Sequence, residues 1–394
     1  QWPLAFYSSF CESFLIEPVI VPILIHTYII AGLFISSHCM VHQTNKIYQR
    51  ALAFQTDRVS LKQPQLWILL AITLTIIALY IFFIPLRETG IYAVIFDPIS
   101  SDLARHTSYA NLPTFMKYLY SFQQSVFAPV LSAILVIYIL KNFSIRKIAD
   151  LSFWSLLLIL AVFSVSITGA RYSVVKLLLV IFVAIYLYKK MEFPIWKMIL
   201  ILMTLLLPAA LITLLREGQE ASLGTLLWYL LDGIILHRIF SVPLQVGIWH
   251  IQYAQIHDFF GVAAIPKLAS LVGVEPISVP QVIGAYYLPN SQIITHSDAG
   301  YLLSYYSYIG IMALPLSLGL LLALDSILFL YNRIGDMLLI PTIASVSIAS
   351  LEFIQSDFTT VLVSHGFIVI PLMAILIDKF IILAHNSYIK AIRA

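Results

Sequence analysis

Apolar residues come in long runs, broken by short polar clusters, along most of this 394-residue chain. The runs fall at about 15–37, 66–86, 115–140, 151–169, 173–188, 198–215, 301–330, 337–351 and 361–384. Most approach the roughly 20 residues a helix needs to cross a hydrocarbon core about 30 Å thick. Inside such a core every backbone amide must bond within the chain, so helices are the expected form. The runs at 151–169 and 173–188 are short and closely joined, which predicts a tight helical hairpin. The longest interruption of the pattern runs from about Arg216 to Gly300. There, 221–240 predicts one helix and 241–260 a second, with His250, Tyr253 and His257 on one face. The stretch 261–289 carries Pro266, Pro276, Pro280 and Pro289 and predicts an irregular, lid-like loop.

Composition agrees. Hydrophobic residues make up 61% of the chain, mean hydropathy is +0.95, and 10% of residues are charged, where soluble domains carry about 25%. The expected fold is all-α: one polytopic transmembrane helix bundle over residues 1–394, with about nine to eleven spans. Residues 216–300 would form a large outer-side helical loop segment within it. The net charge of +3 says little about partners. Cys11 and Cys39 sit near the two ends of one predicted span, so no disulfide is expected between them. The chain starts with Gln1, and an N-terminal piece is expected to be missing, with 2–16 the rest of a truncated span.

Lys and Arg set the orientation. Lys46, Arg50, Arg58 and Lys62 share one loop, Lys141, Arg146 and Lys147 another, and Lys189, Lys190 and Lys197 a third. Arg333, Lys379, Lys390 and Arg393 continue the alternation. That side is read as cytoplasmic. The other side then holds the loop 87–114, the turn Gly169-Ala170-Arg171, the segment 216–300 and a small loop near Glu352 to Asp357.

By this topology 14 of the 22 basic residues are inside. The other eight are Arg87, Arg105, Lys117, Arg171, Lys176, Arg216, Arg238 and Lys267. Five of those eight are Arg, against five of the 14 inside, so the outer set is enriched in the planar fork that grips phosphate oxygens in pairs. Arg171, Arg216 and Arg238 fall at or near predicted outer helix ends, an arrangement suited to a lipid-linked diphosphate. Snorkelling to headgroups, or pairing with Glu217, Glu220 and Asp232, explains any one of them equally well.

Thr295-His296-Ser297-Asp298-Ala299-Gly300-Tyr301 closes the segment 216–300 and opens the run at 301. Ionisable groups at a membrane boundary are costly to place there, which makes them functional candidates. His296 and Asp298 are the candidates for a general base acting on an acceptor hydroxyl. A helix cap at Asp298 and an idle loop histidine at 296 are the plain alternatives. Asp325, His365 and Asp378 lie inside apolar runs, and Asp378 is expected to pair with Lys379. His250 and His257 are too far apart in sequence, and too short of carboxylates, to suggest a metal site. No metal and no cofactor is expected. The chain has no P-loop, no dinucleotide fingerprint and no Ser-centred elbow.

The run 295–301, followed by Tyr308-Ile309-Gly310-Ile311, resembles the outer-loop-to-helix segment of bacterial O-antigen and capsule repeat-unit polymerases, the Wzy family. Thr168-Gly169-Ala170-Arg171-Tyr172-Ser173 resembles that family's Gly-small-Arg-Ser turn. Arg238 and the stretch to Phe259-Phe260-Gly261 is similar to its periplasmic Arg-to-Gly segment, although the ten-residue spacing of some polymerases is not kept. O-antigen ligases share the histidine at the loop end. The resemblance implies a metal-independent, GT-C-like glycosyltransferase of the bacterial inner membrane with its active site facing the periplasm. It would join undecaprenyl-diphosphate-linked oligosaccharide repeat units, donor and acceptor both lipid-linked. Arg171, Arg216 and Arg238 would hold the diphosphate, His296 and Asp298 would be catalytic, and Tyr301, His237 and Arg105 would contact the remaining substrate. Partners implied are the bilayer, a chain-length regulator and a flippase, and no nucleic acid. The alternatives are ligation of the glycan to lipid A-core, or a lipid-linked oligosaccharide or polysaccharide transporter.

Overall fold

The computed structural model describes residues 45–47, 49–50, 64–141, 148–189, 194–216, 222–233, 237, 242–288, 327–352 and 358–393. Every regular element among them is helical, and the fold is all-α. The chain divides into two units. The larger comprises 45–229, 329–350 and 363–394, and the smaller 1–44, 230–328 and 351–362.

In the larger unit α1 (Pro64–Phe83), α2 (Gly90–Phe96), α3 (Ser101–Asn111), α4 (Thr114–Phe122) and α5 (Ala128–Lys141) come first. They are followed by α6 (Ile148–Ser166), α7 (Arg171–Tyr188), α8 (Ile195–Arg216) and α9 (Leu223–Trp228). Among the described residues two stretches are long and apolar enough to cross a membrane, Pro64–Phe83 and Thr114–Lys141. The second is α4 and α5 joined through one π-helical turn, Gln123–Phe127. In α5 every residue from Ala128 to Tyr138 is buried, which makes it the central rod. Helices α6 and α7 pack on that rod, α8 packs on α7, and α1 packs against α4 and α5.

Aromatic contacts fix the directions. Trp154 at the start of α6 stacks on Tyr138 at the end of α5, at 5.3 Å, and meets Trp67 of α1 at 6.3 Å. At the far end Tyr80 of α1 lies 4.9 Å from Tyr120 of α4. So α1 and α6 run parallel and the α4–α5 rod runs opposite. Ile76, Tyr80, Ile84, Leu112, Met116, Tyr120 and Ile167 form the core at that far end. Small residues, Ala133, Ala184 and Ala344, sit where α5, α7 and the later α14 (Asp336–Leu351) come together, and let the helices approach closely.

The segment expected to be a loop at 87–114 is instead helical through α2 and α3, with single 3-10 turns at Leu86–Glu88 and Pro98–Ser100. Pro98 sits in the first turn of its helix, where a missing N–H costs nothing. The run 361–384 is also divided. It holds α15 (Phe358–Val363) and α16 (Val369–Arg393), separated at Gly366, whose φ of 87° favours glycine. A Cβ on Gly366 would lie 2.9 Å from Val126, so α16 starts beside the π turn.

In the smaller unit α10 (Val242–Ile256), α11 (Pro266–Leu271) and α12 (Val279–Tyr287) are described. The expected lid-like loop is thus partly helical, because Pro266 and Pro280 occupy first-turn positions rather than breaking helices. The helix expected at 221–240 is seen as α9, continued by a π-helical stretch through 233. The remaining helix, α13 (Leu328–Tyr331), leads into α14 through a tight turn. The runs at 15–37 and most of 301–330 lie outside the described residues.

Candidate functional site

The turn between α6 and α7 is where the structure concentrates its constraints. Helix α6 ends at Ser166, and the carbonyls of a last helical turn need donors from elsewhere. Tyr120 Oη donates to the carbonyls of Ser164 (3.1 Å) and Val165 (3.2 Å). Gln124 Nε2 donates to Val165 O and Thr168 Oγ1, both at 3.4 Å. Gly169 N–H closes on Ser166 O at 2.7 Å, and Ile91 N–H reaches Ile167 O at 3.1 Å. Gln123, fully buried beside them, donates to Ser164 Oγ (3.0 Å) and Thr73 Oγ1 (3.2 Å).

Two glycines permit this. A Cβ on Gly90 would stand 1.9 Å from Thr168 O, and one on Gly169 would stand 2.8 Å from Gly90 backbone. Gly169 also has φ 73°. The start of α2 therefore lies directly on the turn that begins α7, with no room for a side chain between them. Arg171 is the first residue of α7, and its N-cap, Ala170, has no side chain to accept a backbone proton. Arg171 thus opens an 18-residue helix with no carboxylate in its first turn, and the positive end of that helix dipole favours an anion.

Arg216 is the last residue of α8. Since α7 and α8 pack together across a short connection, they run antiparallel, and Arg216 lies at the same end of the unit as Arg171. Helix α8 also touches Pro98–Ser100, in the segment that carries Arg87 and Arg105. Arg105 is half-buried on α3, with Nη2 3.1 Å from His106 Nε2. Thus the larger unit gathers Arg87, Arg105, Arg171 and Arg216 at one end. Lys117, also at that end, has a local role. Its Nζ donates to Ala110 O (3.0 Å) at the end of α3 and lies 5.8 Å from the centre of the Tyr109 ring. Burial, and then Tyr118, raise the Tyr109 pKa.

The opposite end collects the other loops. Arg50 Nη2 meets Asp336 Oδ1 at 2.6 Å and Ile334 O at 2.7 Å, and Nη1 reaches Tyr331 O and Asn332 O at 3.3 Å. Asp378 does not depend on Lys379 as expected. It accepts Gly335 N–H at 2.6 Å and Gln65 Nε2 at 3.1 Å. Lys141 lies 6.0 Å from the Tyr188 ring centre at this end too.

In the smaller unit His237 is exposed. Arg238, His296, Asp298 and Tyr301 lie outside the described residues. Of the histidine face expected on α10, Tyr253 and His257 do stack, at 4.1 Å, and meet Tyr286 of α12 edge-on. His250 is instead fully buried, and burial pushes its pKa down to about 3. Trp249 takes the place beside Tyr287, stacked at 5.2 Å. Burial, with Tyr286 and Tyr253 close by, pushes the Tyr287 pKa up to about 12.

Lys176 on α7 and Glu352 after α14, which the sequence assigns to the outer side, are buried ionisable groups. Gly90, Tyr120 and Gln124 carry no motif at all, because their partners lie 41 to 78 positions away in sequence. Among the described residues no three His, Cys, Asp or Glu come together as a metal site. Comparison with protein-family models, curated proteins and solved structures finds no match to this chain.

Proposed function

We propose that the chain is a polytopic membrane glycosyltransferase that polymerises lipid-linked oligosaccharide repeat units, as the resemblance to the Wzy family implies. The observation that carries it is the Gly90–Thr168 contact, which fixes the Arg171 turn against the start of α2, in the segment that carries Arg87 before α2 and Arg105 on α3. A bilayer setting is supported by the exposed faces of the helices. On α1 one face buries Leu66, Leu69, Leu70, Thr73, Ile76 and Tyr80, while the other shows Trp67, Leu74, Ile81 and Phe82. Phe82 is 79% exposed. A helix apolar on both faces, one of them uncovered, suits lipid and not water.

In this mechanism Arg171, Arg216 and Arg238 stabilise the negative charge that develops on a departing polyprenyl diphosphate, in place of a metal ion. His296 or Asp298 takes the proton from the acceptor hydroxyl as it attacks the anomeric carbon, inverting that centre. Tyr301, His237 and Arg105 contact the sugars. Deleting the gene in its host and running the surface glycan on a gel tests this. A single repeat unit on the lipid core in place of a ladder supports polymerisation. Loss of capped core with accumulated lipid-linked polymer indicates ligation instead, and an unchanged ladder excludes glycan assembly.

A further inference from the structure

The smaller unit holds a closed loop with an aliphatic tip. Its base is tied where Ile277 N–H donates to Ala263 O at 2.8 Å. Its rising arm is α11. Val272 ends that helix, Gly273 follows with φ 73°, and Val274 N–H returns to Ala269 O at 2.9 Å. This is the Schellman arrangement, in which a left-handed glycine lets the chain reverse and satisfy the last helical carbonyls. The tip is therefore held by its own backbone bonds. It nonetheless points apolar side chains outward. Leu271 is 83% and Val272 57% exposed, and Leu268 and Val274 are also exposed. From Ile265 to Tyr287 only Lys267 and Glu275 are charged.

We propose that the Leu271–Val274 tip inserts into the lipid bilayer and docks the smaller unit on the membrane surface. This rests on the bilayer setting proposed above. Water is an unsuitable neighbour for a run of exposed aliphatics, which a soluble surface avoids. The tip carries none of the Tyr, Trp or Arg anchors that dominate protein interfaces, only aliphatic groups that match acyl chains. Its amides at 272 and 274 are already bonded within the loop, which lowers the cost of bringing that backbone toward hydrocarbon. One helix length further on, about 13 Å along the nine residues of α12, the chain reaches Tyr286 and Tyr287. Tyr287 stacks on Trp249, and Tyr286 meets Tyr253 and His257 edge-on. Rings with polar tips favour the headgroup level, while an aliphatic tip favours the acyl boundary about 5–10 Å below it.

The test is site-directed spin labelling of the full chain in phospholipid nanodiscs. Cys11 and Cys39 are replaced by Ser, and single labels are placed by Leu271→Cys, Val272→Cys, Asp258→Cys and Phe82→Cys. Power saturation compares access of molecular oxygen, which concentrates in lipid, with access of a water-soluble nickel chelate. The expected result is an oxygen-to-nickel ratio at 271 and 272 several-fold above that at the exposed Asp258. A ratio equal to that at 258 places the tip in water, and low access to both reagents places it against protein. Either overturns the proposal. The Phe82 label separates the two levels of failure. If it is in lipid while 271 is not, only the docked tip is wrong. If it too is open to nickel, the bilayer setting itself fails.

Discussion

Arg50 and Asp336 are 286 positions apart in sequence and meet at 2.6 Å. The same guanidinium accepts no proton and donates to three carbonyls of the turn 331–334, so it caps the end of α13 and holds the start of α14. From the other side Asp378 of α16 takes the Gly335 N–H. One five-residue turn is thus gripped by two side chains from opposite ends of the sequence.

Arg50→Ala is expected to destabilise the larger unit by about 3 kcal/mol, mostly through the three lost carbonyl bonds at about 1 kcal/mol each. The ion pair itself is partly exposed and contributes little. Asp336→Ala should therefore cost clearly less than Arg50→Ala, and Arg50→Lys should recover only a minority of the loss, because an ammonium cannot span three carbonyls. Thermal unfolding of the three variants in one lipid environment measures the order. Equal losses from Arg50→Ala and Asp336→Ala would show that the ion pair, not the cap, holds the turn.

Gly90→Ala is expected to displace the Arg171 turn. The new methyl would lie 1.9 Å from a backbone carbonyl that has no rotamer to escape through. Overpacking of this kind costs about 1–3 kcal/mol or more. Gly224→Ala is the control, since its nearest neighbour is 3.9 Å away. Proteolysis between α6 and α7 should rise in the first variant and stay at the wild-type level in the second.

His250 is expected to make the smaller unit acid-sensitive. Its folded pKa of about 3 lies below the ordinary 6.5, so the unfolded chain binds the extra proton first. Stability is complete above pH 6.5 and falls as the pH drops below it, by about 1.4 kcal/mol per unit until the folded pKa is reached. Limited proteolysis of the 242–288 region should accelerate between pH 6.5 and 5. His250→Phe is expected to remove the pH dependence, whatever constant change in stability it brings. A variant that keeps the same acid sensitivity would assign it to another group.

The helix pattern was legible because apolar runs of helical length have few other solutions. What the pattern could not give was division within a run. The break at Gly366 shows only as Ser364-His365-Gly366 inside an apolar run, and neither its positive φ nor its close approach to Val126 is visible in the sequence. Prolines misled in the opposite direction. Pro266 and Pro280 looked like breakers and prove to be helix starts, since a proline's effect depends on which turn it occupies. Arg171 stood out by its turn sequence. The residues that fix that turn did not, because Gly90, Tyr120 and Gln124 act through backbone contacts with distant positions.

Arg171→Ala and His296→Ala, each introduced into a strain deleted for this gene, test the proposed chemistry most directly. Each protein is first confirmed in the membrane fraction at the wild-type level. The surface glycan is then resolved by gel. The expected result is a lipid core carrying a single repeat unit, with the ladder reduced at least about a hundredfold, as loss of a charge-stabilising or proton-transferring group predicts. A normal ladder from either variant would contradict its place in the site, and from both would contradict the proposed active site.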